Sequence, residues 1–440
     1  MLSTEKKRKN VVEEGGSSGA TGASSKKTKH DADHNQFASA VIITIKDDNK
    51  AKSLPQAPES PLLRLLDFPT FDNQDDISHR FDEIANSLLH SYHLVVNCGD
   101  AETKFEILEL EFYLHMAGCH EDPFTHGSEE QKICGRWYFH RAPRRSEDSL
   151  RSATSLTGYR GGSRKGLDLT IGRRAPLATT TSQYFPSQSS SSQTSEEKPS
   201  IFRGGILLRS IRRLGPDPKV ISGPSLLVDQ VLLLCKAASI LELVEDTWSG
   251  DTTAFHSTNG EDAPSAALTL QPRPATTAVP PTIYTSPRIG LDLSHPGTTP
   301  PPEHTADTTP LHPRIVFLPK LYRYFVHPKE LTTKGRPQTF LAMLHSRLSS
   351  CPDIDRKLKS GGLSNNIARM MGLKESTASK YLADYVAGRE AGRSALKAFV
   401  GVKDSSSSPA AYLKMMGALE RVCEVERVEG SGGFNASTES

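Results

Sequence analysis

Four things are scarce in this 440-residue chain, and each shortage narrows what it can be. No stretch approaches the roughly 20 consecutive apolar residues that a membrane-spanning helix needs, so no membrane partner is expected. Apolar residues make up only 36% of the chain and aromatic residues 7%. Much of the remainder collects in Ser-, Thr-, Pro- and Gly-rich tracts that cannot bury enough surface to offset the entropy of ordering them. Cysteine is sparse: Cys98, Cys119, Cys134, Cys235, Cys351 and Cys423 form no CxxC pair, and no Cys/His set has zinc-ligand spacing. Scattered thiols with no leading signal peptide read as reduced and intracellular. Charge of one sign is also missing. The 53 basic residues face 51 acidic ones, a net charge of +2 that by itself names no partner.

The distribution of charge says more. Basic residues cluster at the N-terminus and near 136–174, 203–219 and 314–336. Residues 1–60 are polar and read as a disordered tail. Within it, Lys6-Lys7-Arg8-Lys9 and Lys26-Lys27-Thr28-Lys29 have the spacing of a bipartite nuclear import signal, or form a solvated basic tail.

Residues 61–336 carry the periodic segments. The spacing predicts a helix over 75–92, then a hairpin about Gly99-Asp100 whose second strand runs through Glu106 to Leu114. Short strands are expected at 135–141, 166–172 and 204–211, a helix over 222–238, a resumption of the core at 286–294, and a last core strand region at 313–326. Insertions are expected at 142–158, 173–200, 247–282 and 295–313. From 337 to 426 the pattern is helical, and 427–440 reads as a frayed tail. No internal repeat is visible.

The core segments run in a particular order: FDEIANSLLHSY, a hairpin, ELEFYL, HEDPFTH, GRWYFHR, GGILLRSI, GPSLLVDQ, PRIGLDLS and LYRYFVHPK. This order resembles the alkyladenine (3-methyladenine) DNA glycosylase family over roughly residues 78–326. The resemblance implies an α/β (α+β) fold: one domain around a curved antiparallel sheet, here interrupted by disordered insertions and followed by a small helical segment. A related fold ends formyltransferases without glycosylase activity, so the fold leaves the function open.

Hydrolysis of a glycosidic bond on a flipped base needs a carboxylate to activate water, a stacked pocket and cations for the backbone. Glu109 and Glu111 stand two apart in a strand and so share a face, which could also be a plain solvated one. By the resemblance Glu111 is the water-activating base and Tyr113 a pocket tyrosine. His126, after Asp122, resembles the histidine that contacts the bound base, though a surface loop histidine would look the same. His140 falls where the family stacks a tyrosine, and an imidazole offers less area. Tyr138 is either a pocket or a core residue. Asp168 lies near a pocket asparagine of the family; an ionised carboxylate accepts hydrogen bonds but cannot donate them. Asp168 could instead pair with Arg209, which matches the arginine closing the Leu-Leu-Arg strand. The intercalating wedge falls within 142–158 and has no assignable residue. The family uses no metal, and no cofactor is expected.

Residues 320–337 interleave Lys320, Arg323, Lys329, Lys334 and Arg336 with Tyr322, Tyr324 and Phe325, which suits a nucleic-acid backbone or a strand with a buried aromatic face. Residues 364–371 and 375–387, with Gly372 between them, resemble a helix-turn-helix. Its second helix would offer Lys374 and Lys380 to phosphates, or the pair simply packs on the core.

Two functions compete, beside an interaction-scaffold reading that the insertions would suit. One is a base-excision DNA glycosylase acting as a nuclear monomer on double-stranded DNA. The other is a non-catalytic DNA- or RNA-binding protein of the same fold. They differ in geometry, because the glycosylase needs water at Glu111.

Overall fold

A computed structural model describes residues 60–69, 71, 73–141, 158–174, 202–256, 265–302, 310–331, 334–349 and 351–432. The basic clusters at Lys6–Lys29, most of the insertions at 142–158 and 173–200, and the end of the tail lie outside the described residues.

The chain opens with α1 (Pro61–Leu66) and α2 (Gln74–His90). Asn73 caps α2 by accepting the Asp76 N–H, and Asp75 and Asp76 favour its positive end. Ile77, Phe81, Ile84, Ala85, Leu88 and Leu89 recur at helical spacing and are buried. Strands β1 (Tyr92–Cys98) and β2 (Ala101–Met116) follow as an antiparallel hairpin. Its turn is Gly99-Asp100, and the φ of 60° at Gly99 is one that glycine adopts without strain.

Strand β2 is 16 residues long and organises the sheet. Further strands are β3 (His120–Glu121), β4 (Trp137–Phe139), β5 (Leu167–Ile171), β6 (Phe202–Arg213) and β7 (Lys219–Ser222). After α3 (Pro224–Leu234) and the single turn α4 (Ile240–Glu242) come β8 (Ala266–Pro272), β9 (Tyr284–Ser286), α5 (Pro313–Phe317) and β10 (Arg323–Phe325). The named strands pair antiparallel, in the order β4-β5-β6-β2-β1-β8, with β10 and β3 also on β2, β9 on β10 and β7 on β6. The result is a curled half-barrel. Its apolar face carries Leu110, Phe112 and Leu114 against α2, where Phe81 and Phe112 stack at 4.2 Å.

A β-bulge interrupts β2·β6 pairing around Ile107, Glu109 and Leu110. Before it the buried apolar residues are Phe105 and Ile107, within it Leu108, and after it Leu110 and Phe112. The extra residue shifts the phase of the alternation and aims Glu109 and Glu111 at the opposite face.

The C-terminal part is helical: α6 (Arg336–Leu348), α7 (Ile354–Leu358), α8 (Leu363–Met371), α9 (Glu375–Ala391), α10 (Arg393–Leu396) and α11 (Pro409–Gly432). Gly372 ends α8 in the left-handed conformation, and α9 begins three residues later, as the helix-turn-helix pattern requires. Among the described residues no helix is long and apolar enough to cross a membrane.

Three expectations are corrected. Residues 247–282 are not simply an insertion. They bury Trp248 and Ala254 and supply β8, which extends the sheet beyond β1 and accepts the Trp137 indole N–H at Leu268 (2.6 Å). The stretch 313–326 is not all strand: Pro313 opens the short helix α5, a position where its missing N–H costs nothing. The six thiols are not all reduced, because Cys98 and Cys235 form a disulfide. The hairpin turn and the end of α3 bring their Cα atoms to 5.4 Å.

The close crossing of α9 and α11 yields a prediction. A Cβ on Gly388 would stand 2.0 Å from the Lys414 carbonyl oxygen, and one on Gly417 2.1 Å from that of Tyr385. Gly388→Ala should therefore destabilise the fold by roughly 2–3 kcal/mol in urea unfolding, where the same change in an open helix would stabilise it.

Candidate functional site

The polar face of the sheet holds two side-chain clusters. In the first, the chain alternates three guanidinium groups with three carboxylates. Arg323 is fully buried; its Nε donates to Glu109 (2.6 Å), and its other nitrogens to Ser286 (3.0 Å) and Thr339 (3.2 Å). Glu109 also accepts from Ser210 and lies 3.3 Å from Arg209. Arg209 reaches on to Glu111 Oε2 at 3.2 Å. The Tyr113 hydroxyl donates to the same oxygen (2.9 Å), and the Ile289 N–H donates to Oε1 (2.7 Å). Arg288 lies 4.6 Å from the centre of the Tyr113 ring and pairs with Asp122 at both carboxylate oxygens. Burial raises the Glu109 carboxyl, but Arg323 and Arg209 outweigh it and hold the pKa below the ordinary value. Burial, then the neighbouring Glu111, push the Tyr113 phenol well above 10.

Glu111 has no solvent exposure. Three donors occupy its two oxygens, so water does not reach it in this conformation. The sequence pairing of Asp168 with Arg209 is corrected, since Arg209 is committed to Glu109 and Glu111. Arg323 is corrected as a nucleic-acid contact: it is the fully buried partner of Glu109. The aromatic residues beside it, Tyr322, Tyr324 and Phe325, are core, which decides for the buried-face alternative.

The second cluster lies two strands away. Glu111, Leu207 and Asp168 occupy opposing positions on β2, β6 and β5, and Tyr138 on β4 opposes Asp168. Opposed residues share a face, so the two clusters are neighbours separated by Leu207, at about 10 Å for two strand spacings. His140 Nε2 lies 2.9 Å from Asp168 Oδ1. The His126 ring stands edge-on to His140 at 4.4 Å and to Tyr138 at 6.2 Å. Gly166 is glycine for a reason, because a Cβ there would meet the His140 ring at 2.4 Å. Burial, then the neighbouring His140, push the His126 imidazole down to about 4, with Asp168 opposing. The cluster is half-open: His126 and His140 are partly exposed, while Asp168 and Tyr138 are buried.

The residues expected at one site thus fall into two groups. Glu111, Tyr113 and Arg209 meet in the closed network, and His126, Tyr138, His140 and Asp168 in the half-open one. Of the expected backbone contacts, Lys334, Arg336, Lys374 and Lys380 are exposed, and Lys320 is half-buried with its ammonium on Gln74 (2.8 Å). The Gly372 turn lies against the exposed Lys329, 3.9 Å from where a Cβ would be. Sequence reasoning missed Arg288, Ser210 and Gln131. No local spacing announces them, because each is recruited from a distant segment.

No family model matches the chain, and no curated protein matches it.

Two outcomes follow. Arg323→Leu should destabilise the protein by roughly 3–5 kcal/mol in urea unfolding, because it strands Glu109 in the interior; a true surface contact would leave stability unchanged. His120, which bonds Leu114 and Tyr322, and His126 are both held near pKa 4 by burial, below the ordinary 6.5. As pH falls the unfolded chain takes up these protons first, so their stability contribution is complete above about 6.5 and is lost towards 4. Urea midpoints across that range should fall with pH, and less steeply in His126→Gln.

Proposed function

We propose that the protein binds nucleic acid and accommodates one unpaired base in the His126–His140–Asp168 cluster, without using Glu111 for hydrolysis. The observation that carries this reading is the meeting of His126, Tyr138, His140 and Asp168, from three separate segments, in one half-open cluster. Aromatic edges and faces suit a base, and the Asp168 carboxylate accepts from an exocyclic amine. Arg160, near enough to His126 to help depress its pKa, supplies positive charge beside it. Lys329, Lys374 and Lys380 around the α8–α9 turn supply more for phosphates.

A second reading, the base-excision DNA glycosylase, is favoured by the position of Glu111. It stands on the same sheet face as Asp168, with Tyr113 and Arg209 on the carboxylate. That reading requires Tyr113 to leave Oε2 when a base enters, so that water can take its place.

Anisotropy titrations with single-stranded and duplex oligonucleotides, run beside base-release assays on alkylated and deaminated duplex, separate the two. Binding without release is the expected result. Release that disappears in Glu111→Gln while binding persists would replace the first reading by the second, and the absence of both activities would sink both. Lys374→Gln and Lys380→Gln should each lower the slope of log affinity against log salt by about 1.

A further inference from the structure

The two histidines and the aspartate of the half-open cluster have a property that base binding does not need. One nitrogen of His126, one nitrogen of His140 and one Asp168 oxygen all lie within 4.8 Å of one another. We propose that these three side chains form a binding site for a single divalent first-row transition-metal ion.

The donor chemistry fits. Neutral imidazole with carboxylate suits zinc and its neighbours in the first row, at bond lengths of roughly 2.0–2.2 Å. Tetrahedral ligands at such lengths stand about 3.3 Å apart, so small side-chain rotations close the set. Asp168 Oδ1 and His140 Nε2 are already 2.9 Å apart. His126 comes from a loop beyond the sheet, and its ring makes no hydrogen bond to any described residue, so turning it towards the other two costs only its edge contacts with Tyr138 and His140. Three protein ligands leave at least one coordination position for water, and the half-open setting admits it.

A second observation is independent of the trio. Gln131 is fully buried, yet neither its amide nitrogen nor its amide oxygen has a hydrogen-bond partner among the described residues. Buried amides are nearly always satisfied. Gln131 sits beside Asp168 over Gly205: a Cβ on that glycine would be 3.1 Å from both Gln131 Nε2 and Asp168 Oδ2. A water on a metal held by Asp168 is a strong donor, and the Gln131 oxygen is a buried acceptor lacking one. An ordinary His140–Asp168 pair explains neither the approach of the second imidazole nor the unsatisfied amide.

The same three side chains line the proposed base site, so the test uses the full chain without nucleic acid, and metal uptake is read separately from oligonucleotide binding. After chelator treatment and dialysis, the protein is titrated with Co2+ while the visible ligand-field bands are followed, and bound Co2+ is then displaced with Zn2+. One equivalent should bind. Affinity should fall by more than tenfold in His126→Gln and Asp168→Asn, and by about tenfold in Gln131→Leu. The exposed, distant His79→Gln should bind as the wild type does. A wild type that takes up no equivalent, or folded His126 and Asp168 variants with unchanged affinity, would overturn the proposal. Because a variant could fail to fold, the wild type is also treated with diethyl pyrocarbonate. Zn2+ should shield His126 and His140 but not His79, and equal reactivity with and without Zn2+ would count against the site.

Discussion

Arg209, Arg288 and Arg323 are enclosed with Glu109, Glu111 and Asp122, and the cost of removing those six charges from water sets the terms for the rest of the molecule. Each desolvated ion costs several kcal/mol unless its partner and its remaining hydrogen bonds are in place. Here they come from far apart: Glu109 and Glu111 from β2, Arg209 from β6, Arg323 from β10, Arg288 from the segment after β9, and Asp122 from the turn after β3. The alternation of sign means that each carboxylate touches at least one guanidinium, and the signs balance. No part of the network is tolerable alone. A one-residue slip of β2 would turn both glutamates into the apolar layer against α2, so the network also reinforces the strand register.

The β-bulge makes this arrangement compatible with a hydrophobic core. Without it, one phase of alternation would run along all of β2, and the residues sharing a face with Phe105 and Ile107 would be Glu109 and Glu111. The shift between Ile107 and Leu110 lets Phe105 and Ile107 pack at one end and Leu110 and Phe112 at the other. The same device carries Glu109 and Glu111 to the side where Arg209 is. Local backbone irregularity therefore sits where the charges demand it, which is common beside functional sites.

Much of this was legible in the sequence. The α2 periodicity, the Gly99-Asp100 hairpin, the aromatic strand β4, the apolar strand β6 and the Gly372 turn all come from local patterns. What stayed hidden depends on distance. Strand β8 lies among Pro- and Thr-rich neighbours, and only its pairing with β1 makes it a strand. Arg323 looks like a surface cation in a basic, aromatic run, because nothing nearby shows that its partner is Glu109, over 200 residues earlier. The same holds for Cys98 and Cys235. Among the site residues, the segments that would come together were readable, but the division into a closed and a half-open cluster was not. It turns on side-chain partners such as Ile289 N–H and Ser210.

That division bears directly on chemistry. A group that handles a ligand needs a free lone pair and a path to solvent. Glu111 has no path to solvent in this conformation, its three donors fill all but one of its lone-pair positions, and exposing it would also strip Arg209 of a counter-charge. His126 and His140 keep partly open rings, and Asp168 spends one oxygen on His140 and leaves the other beside an unsatisfied amide. The closed network is thus sealed by its own charges, while the histidines two strands away keep partly open rings beside a carboxylate.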